Sequence, residues 1–310
     1  MTGRTHSFVW DGPSPDPNDL QVGDRVRNVD LEDADAFDAV LLGEPYDGAV
    51  IGRRGAREGP VALRSALATA KATSFRDGTI PDLGDLGDVE IPDGTVSDVQ
   101  GALLDVTRAV HQRDTLPVFL GGDNSTTVPN VSPLLEKGST AVINFDAHLD
   151  CRAVEGEPTS GSPYRQLFER GLDGYLVVGA RHFETSASYL KYVRDRGGTI
   201  IPADRFDTTE TGVVADRIVD AVEEDHEHVY LSVDVDVLDN ALVEGVSAPT
   251  PGGLTARELF RLLGQLGSRL SLSGFEVVEC APPLDPTDRT SRAASRAIAH
   301  LLAAQLGRSA

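Results

Sequence analysis

Short apolar runs alternate along this chain with segments whose apolar residues recur at helical spacing. The runs predict strands buried on both faces of a sheet: DAVLLGE (38–44), LPVFLGG (116–122), TAVINFD (140–146), YLVVGAR (175–181), HVYLSVDVD (228–236) and SGFEVVE (273–279). The helical patterns are PVALRSALATAK (60–71), VSDVQGALLDVTRAVHQ (96–112), SASYLKYVRDR (186–196), VVADRIVDAVEE (213–224), TARELFRLLGQL (255–266) and SRAASRAIAHLLAAQL (291–306). This alternation predicts an α/β fold whose parallel sheet is covered by helices on both sides. No linker or repeat divides the chain, so we predict one domain, 1–310, with an N-terminal arm over residues 1–36.

Four of the predicted strands end in polar segments: GGDNS (121–125), DAHLD (146–150), SVDVDVLD (232–239) and FEVVEC (275–280). In the second, Asp146, His148 and Asp150 alternate, so an extended chain places them on one face. Asp234 and Asp236 alternate in the same way within the third. Such carboxylates repel one another unless divalent cations neutralise them.

Oxygen ligands with one imidazole suit Mn²⁺ better than Zn²⁺. Carboxylates that bridge two ions, roughly 3.5–4 Å apart, are typical of two-metal hydrolysis sites. The alternative is that DAHLD is an exposed turn and DVD a solvated strand edge. Two such motifs, each at the end of an apolar strand, favour a metal site.

The composition limits the partners. A formal net charge of −21 and a pI near 4.6 argue against binding to nucleic acid or to anionic membranes. The first residues lack the apolar region of an export signal and no apolar run reaches membrane-spanning length, so we expect a cytoplasmic protein. Lysine occurs at only three positions, Lys71, Lys137 and Lys191, among 28 basic residues. Abundant acid with scarce lysine indicates a halophilic host; an ordinary acidic enzyme is the alternative.

These motifs, together with GRRGAREGPVALR (52–64), resemble the arginase–agmatinase (ureohydrolase) family from about residue 38 to the C-terminus. The resemblance implies a three-layer α/β/α fold with a mostly parallel central sheet. It also implies two Mn²⁺ ions, a small-molecule amidine or guanidine substrate, and a homo-oligomer, either a trimer or a hexamer. In this family a hydroxide that bridges the ions attacks the amidine or guanidine carbon.

The resemblance carries functional residues over by position. Asp146 and Asp234 would bridge the ions, Asp150 would bind one ion and orient the hydroxide, and His148 with Asp236 would bind the other ion. Glu279 matches the carboxylate that pairs with the cationic amidinium; a salt bridge within the sheet is the alternative. The metal ligands implied are Asn124, Asp146, His148, Asp150, Asp234 and Asp236.

Asn124 departs from the family pattern, because members usually have a histidine there, in GGDHS. An amide oxygen binds Mn²⁺ more weakly than imidazole does, so we expect one ion to be held loosely or the site to be mononuclear. Asn124 is also the reason to consider a non-catalytic metal-binding relative.

A second departure concerns the substrate. In PTSGSPYRQL (158–167), Ser160 stands where arginases and agmatinases have a proton-shuttling histidine. With DAHLDCR (146–152), this segment resembles the formimidoylglutamase branch, which splits N-formimidoyl-L-glutamate into L-glutamate and formamide. Arg152 follows a predicted metal ligand and could hold a substrate carboxylate; a salt bridge to a nearby glutamate is the alternative. Arg181 is a second candidate for that carboxylate. The competing substrates are guanidino compounds such as agmatine or guanidinobutyrate.

Overall fold

The computed structural model describes residues 7–223 and 226–307, in which strands and helices alternate. The strands are β1 (Val26–Asn28), β2 (Ala39–Gly43), β3 (Thr73–Ser74), β4 (Gly78–Thr79), β5 (Leu83–Asp88), β6 (Leu116–Leu120), β7 (Thr140–Phe145), β8 (Gly174–Ala180), β9 (Thr199–Pro202), β10 (His228–Asp234) and β11 (Leu272–Val278). The helices are α1 (Gly59–Ala68), α2 (Val96–Val110), α3 (Thr127–Leu135), α4 (Pro163–Glu169), α5 (Ala187–Asp195), α6 (Thr211–Glu223), α7 (Ala256–Gly267) and α8 (Arg289–Leu306).

Nine strands form one sheet in the order β1-β5-β2-β6-β11-β10-β7-β8-β9. Every neighbouring pair in this sheet is parallel, which confirms the predicted fold class. The six strands predicted from apolar runs are β2, β6, β7, β8, β10 and β11. The central four, β6, β11, β10 and β7, are adjacent, so their carboxyl ends lie side by side, where open α/β sheets bind ligands.

Helices cover both faces of the sheet, and each face has its own apolar core. Helices α1, α6, α7 and α8 pack on one face, with buried residues such as Leu63, Ile218 and Leu262. Helices α2, α3, α4 and α5 pack on the other, with residues such as Leu103 and Val131. The molecule therefore has the three layers that the resemblance implied. Within residues 7–223 and 226–307, no helix has both the length and the apolar character needed to span a bilayer.

Strand β5, with the sequence LGDLGD, is an element that the apolar pattern does not predict. All six of its residues are buried, although it carries two aspartates. Arg64 of α1, itself 1% exposed, compensates them. Its Nε and Nη2 donate to the two oxygens of Asp85 at 2.9 Å each, and its Nη1 donates to Asp88 at 2.5 Å. A local pattern cannot reveal this strand, because its burial depends on a cation from another element.

The predicted N-terminal arm begins with residues 1–6, which lie outside the described residues. Within the remainder, Val26–Asn28 joins the sheet as its edge strand β1, paired with β5. The indole Nε1 of Trp10 donates a hydrogen bond to Asp85 Oδ2 at 2.7 Å. The arm is thus attached to the same buried ion pair that holds β5 in the sheet. The assignment of the whole chain to one domain stays a prediction.

We expect Asp85→Ala to lower the free energy of unfolding by about 3–5 kcal/mol, because it leaves the buried Arg64 guanidinium without its main partner. The measurement is chemical denaturation at constant molar salt. Asp82→Ala is the matched control, since Asp82 pairs with Arg25 at 2.8 Å but its side chain is 45% exposed. Loss of such an exposed pair costs less than about 1 kcal/mol. Equal losses in the two variants would contradict this view of β5.

Candidate metal centre

Four polar segments meet at the carboxyl edge of the central strands. Residues 121–125 follow β6, residues 146–150 follow β7, Asp234 ends β10 with Asp236 just after it, and Glu279 follows β11. The apolar side chains of these strands are buried, so each strand leaves the core at the point where its polar residues begin. The structure thereby brings together the residues predicted at the strand ends: Asn124, Asp146, His148, Asp150, Asp234, Asp236 and Glu279.

Two groups of potential metal ligands share one carboxylate. The first is Asp146, His148 and Asp236, and the second is Asp146, Asp150 and Asp234; within each group the ligand atoms lie within 4.8 Å of one another. In the first group, His148 Nδ1 lies 3.3 Å from Asp146 Oδ1 and 3.2 Å from Asp236 Oδ2. Asp146 therefore occupies the position of a carboxylate that can serve two divalent ions at once.

The electrostatics of these groups fit a divalent cation. Burial, reinforced by neighbouring carboxylates, raises the pKa of Asp146 and raises the pKa values of Asp150 and Asp234 much further. Burial alone would also raise the pKa of Asp236, but His148 beside it lowers that pKa instead. In the described part of the chain, His148 is the one base within ion-pair distance of these acids. Oxygen donors with a single imidazole form a ligand set that suits Mn²⁺.

Asp150 and Glu279 have left-handed backbone conformations, with φ values of 39° and 63°. Residues with a side chain rarely adopt such values, and when they do, they cluster at functional sites. Neighbouring backbone holds both residues in place: the amide of Tyr164 donates to the carbonyl of Asp150 at 3.0 Å, and the amide of Glu279 donates to the carbonyl of Gly122 at 2.8 Å. The strain accompanies a sharp change of chain direction just where each side chain joins the site.

Asn124 is fully buried beside the second group. Its Nδ2 donates to Asp150 Oδ2 at 2.6 Å, and its Oδ1 lies 2.7 Å from the Thr127 hydroxyl oxygen. Its backbone amide donates to Glu279 Oε1 at 2.9 Å. The asparagine is thus in contact with the ligands, but the end of the amide that faces them here is the NH2 group. Its role as a metal ligand stays a prediction.

Glu279 has one engaged oxygen and one free oxygen. Oε1 accepts the hydrogen bond from Asn124, whereas Oε2 is buried and has no hydrogen-bond partner among the described residues. Burial, together with the charge of Asp123, raises the pKa of Glu279 to about 8. A buried carboxylate oxygen without a donor is costly, so this atom is suited to a ligand that brings an N–H group or a positive charge.

A cavity of about 400 Å³ opens above these groups, and Arg152 and Ser160 both line it. Arg152 is exposed, and its guanidinium makes no ion pair or hydrogen bond within residues 7–223 and 226–307. Among the described residues, Arg152 forms no salt bridge to a nearby glutamate. Glu157, for example, accepts hydrogen bonds from Ser97 instead. Arg152 is therefore available to a ligand in the cavity. Ser160 is nearly buried, and its hydroxyl accepts a hydrogen bond from the Ile51 amide at 3.4 Å.

Arg181 is not among the residues that line this cavity. Its Nη1 donates to the carbonyl of Thr250 at 2.8 Å, and its Nη2 donates to the carbonyl of Leu238 at 2.8 Å and to that of Asp236. The guanidinium therefore holds the chain that follows β10 and supports Asp236 from behind. This placement does not support the predicted contact between Arg181 and a substrate carboxylate, because Arg181 does not line the cavity and both terminal nitrogens of its guanidinium already donate to Thr250 and to backbone carbonyls.

The cavity wall also contains residues that the sequence analysis did not single out. Phe183 and Glu184 follow β8 at the same edge of the sheet, and Glu184 Oε2 lies 3.8 Å from His148 Nε2. Phe183 is fully exposed and has a φ of 71°. Their position after a predicted strand is a signal that could have found them. Ser247 enters the wall from the long loop between β10 and α7, and no strand end in the sequence indicates it.

Because Asp146 belongs to both ligand groups, we expect Asp146→Ala to lose more bound Mn²⁺ than His148→Ala or Asp150→Ala, each of which damages one group. The measurement is the number of ions bound per chain after equilibrium dialysis. Asp204→Ala is the control, because Asp204 is an exposed acid that contacts His182 outside the cavity. Equal losses in the three site variants would mean that Asp146 is not shared.

Comparison with known proteins agrees with this geometry. The model of the arginase family matches residues 37–304. The formimidoylglutamase of Halobacterium salinarum is 52% identical over 301 residues, which cover 95% of this chain and 97% of that protein. The crystal structure of formimidoylglutamase from Bacillus subtilis has a TM-score of 0.88 at 30% identity and covers 94% of each chain. A structure of Trypanosoma cruzi formiminoglutamase with Mn²⁺ has a TM-score of 0.79 at 27% identity and covers 87% of this chain and 94% of that one. Because the family model and these relatives each match well over two-thirds of its length, this chain belongs to the arginase family.

Proposed function

We propose that this protein is an Mn²⁺-dependent hydrolase that converts N-formimidoyl-L-glutamate to L-glutamate and formamide. The proposal is based on the residues that line one cavity. A free arginine, Arg152, and a buried carboxylate with one free oxygen, Glu279, both line it together with the acidic ligand groups. The likeness to formimidoylglutamases along nearly the whole chain supports the same conclusion.

The two ends of this substrate match the two kinds of free group. Its formimidoyl end is a cationic amidinium with N–H donors, which Glu279 Oε2 can accept at a position where a buried oxygen otherwise lacks a donor. Its glutamate end carries two carboxylates, one of which the planar guanidinium of Arg152 can hold through two parallel hydrogen bonds. A cavity of about 400 Å³ is large enough for a molecule of this size. Agmatine has no carboxylate and would leave Arg152 unused.

The reaction adds one water across a C–N bond. The water oxygen bonds to the formimidoyl carbon, the bond from that carbon to the glutamate nitrogen breaks, and the leaving nitrogen takes up a proton. Two Mn²⁺ ions, held by the groups that share Asp146 with Asn124 as a further ligand, would supply Lewis acidity and lower the pKa of water towards neutrality. Glu279 would fix the amidinium in place over those groups. Ser160 does not titrate near neutral pH, so another group or solvent must deliver the proton to the leaving nitrogen.

The test is a direct assay with added Mn²⁺ in molar salt, since an acidic, lysine-poor chain with a Halobacterium relative calls for high ionic strength. We expect release of glutamate from N-formimidoyl-L-glutamate and no release of urea from agmatine, 4-guanidinobutyrate or arginine. Urea release would favour a guanidine substrate within the same family. Bound Mn²⁺ without turnover of any of these compounds would favour a metal-binding protein.

We expect Arg152→Ala to raise the KM for N-formimidoyl-L-glutamate by about 10- to 100-fold, the equivalent of a lost hydrogen bond to a charged group. The amount of bound Mn²⁺ should stay unchanged, because Arg152 contacts none of the ligands. Arg54→Ala is the control: Arg54 is an exposed arginine of a neighbouring loop that does not line the cavity. If the KM of Arg152→Ala equals that of Arg54→Ala, the carboxylate contact is wrong.

The family also suggests a homo-oligomer, and the composition suggests a cytoplasmic, salt-adapted enzyme. We infer a trimer or hexamer on the family resemblance alone.

A further inference from the structure

A chain of buried hydrogen bonds connects the metal centre to the middle of the sheet. Glu276 of β11 is completely buried and faces three polar side chains. Its Oε1 lies 2.6 Å from the hydroxyl oxygen of Thr127, the first residue of α3. Its Oε2 accepts hydrogen bonds from Asn130 Nδ2 and from the Tyr230 hydroxyl, both at 2.9 Å. Thr127 in turn contacts Asn124, so only one hydroxyl separates Glu276 from the asparagine.

The Thr127 hydroxyl has a single proton and two neighbours that could accept it. Its oxygen lies 2.7 Å from Asn124 Oδ1 and 2.6 Å from Glu276 Oε1. If Thr127 donates to Asn124, the Asn124 oxygen is occupied and its NH2 group faces Asp150. If Thr127 donates to Glu276, its oxygen can only accept, and the favourable partner is then the NH2 group of a turned Asn124 amide. The destination of one proton thus decides which end of the amide faces the metal ligands.

The surroundings of Glu276 favour its ionised form as the acceptor. A second buried carboxylate, that of Glu44 directly after β2, shares the Asn130 amide with it. Glu44 Oε1 has no hydrogen-bond partner among the described residues, and burial raises the pKa of Glu44 to about 8. Burial also raises the pKa of Glu276, but hydrogen bonds from Asn130, Thr127 and other hydroxyl groups oppose that rise. Two adjacent buried carboxylates do not both ionise readily, so the proton of the pair resides on Glu44.

The remaining neighbours of Glu276 are neutral. The hydroxyls of Ser232 on β10 and Tyr164 on α4 lie near this carboxylate, and burial keeps the pKa of Tyr164 well above its usual value. An ionised Glu276 therefore competes with Asn124 Oδ1 for the Thr127 proton, and the charged oxygen is the stronger acceptor of the two.

We propose that Thr127 is a positioning residue for the metal centre, because it donates to Glu276, accepts from the NH2 group of Asn124, and so turns the Asn124 oxygen towards the bound ion. The inference rests on the proposed Mn²⁺ centre. The structure contains the other arrangement, in which the NH2 group of Asn124 donates to Asp150 Oδ2. An asparagine can change between the two arrangements by rotating its amide, which exchanges the oxygen and the NH2 group.

The test measures metal affinity rather than activity. Free Mn²⁺ gives a six-line electron paramagnetic resonance signal that titration with protein removes, so bound ions can be counted. We expect Thr127→Val to raise the Kd of the weaker Mn²⁺ site by about tenfold, in the range for partners that orient a ligand. Thr127→Ser keeps the hydroxyl and should bind as the wild type does. Thr107→Val is the control, because Thr107 is an equally buried threonine whose hydroxyl donates to the carbonyl of Pro129 instead.

Glu276→Gln tests the same point without changing Thr127. Asn130 and Tyr230 are donors, so the glutamine oxygen should remain with them and its NH2 group should face Thr127. Thr127 must then donate to Asn124, which fixes the amide in the orientation that does not bind the ion. We expect the Kd of the weaker site to rise by at least as much as in Thr127→Val.

A double-mutant cycle separates orientation from a general loss of packing. In an Asn124→His background there is no amide to turn, so Thr127→Val should change the Mn²⁺ Kd by less than about twofold. Equal effects in the two backgrounds, or a wild-type Kd in Thr127→Val or in Glu276→Gln, would overturn the inference. If the wild type binds Mn²⁺ but releases no glutamate, the proposed substrate is wrong and the role of Thr127 is unaffected.

Discussion

The cost of burying carboxylates without a cation is the constraint on which this site depends. Asp146, Asp234 and Asp236 are at most 2% exposed, and they stand at the ends of strands whose other residues form the core. One imidazole, that of His148, is too little positive charge to balance them. Placing such acids at the carboxyl edge of a parallel sheet leaves one open side, the cavity, through which a divalent ion can reach them. The rest of the site can be understood as support for that arrangement.

The support comes from backbone and from groups that contact no substrate. Strained turns at Asp150 and Glu279 direct two carboxylates into the site. Arg181 uses its guanidinium to hold the chain next to Asp236 from behind. In contrast, the exposed guanidinium of Arg152 and one buried oxygen of Glu279 have no partner among the described residues. Residues whose side chains hold the backbone therefore build the centre, whereas Arg152 and Glu279, which line the cavity, are available to a ligand.

Two further buried carboxylates, those of Glu44 and Glu276, lie close to the centre and share the amide of Asn130. Buried polar networks of this kind are costly unless every member is satisfied, and one oxygen of Glu44 is not. The proposed role of Thr127 accounts for this network. Glu276 accepts the Thr127 proton, and Thr127 then determines the orientation of the Asn124 amide. The replacement of the usual histidine by Asn124 is thus accompanied by residues that orient its amide.

The sequence by itself determined the fold class, the positions of six strands along the chain, and the alternating acids at their ends, because apolar periodicity and strand alternation are local properties of the chain. It also singled out Arg152, whose availability the structure supports. Only the tertiary structure decided that β5 is buried, since its aspartates need Arg64, and that Arg181 is diverted from the cavity by carbonyls of a distant loop. The contact between Thr127 and Glu276, which are 149 residues apart in the sequence, was likewise decided only by the tertiary structure. Such contacts depend on which strands become neighbours, and no local pattern of residues encodes that choice.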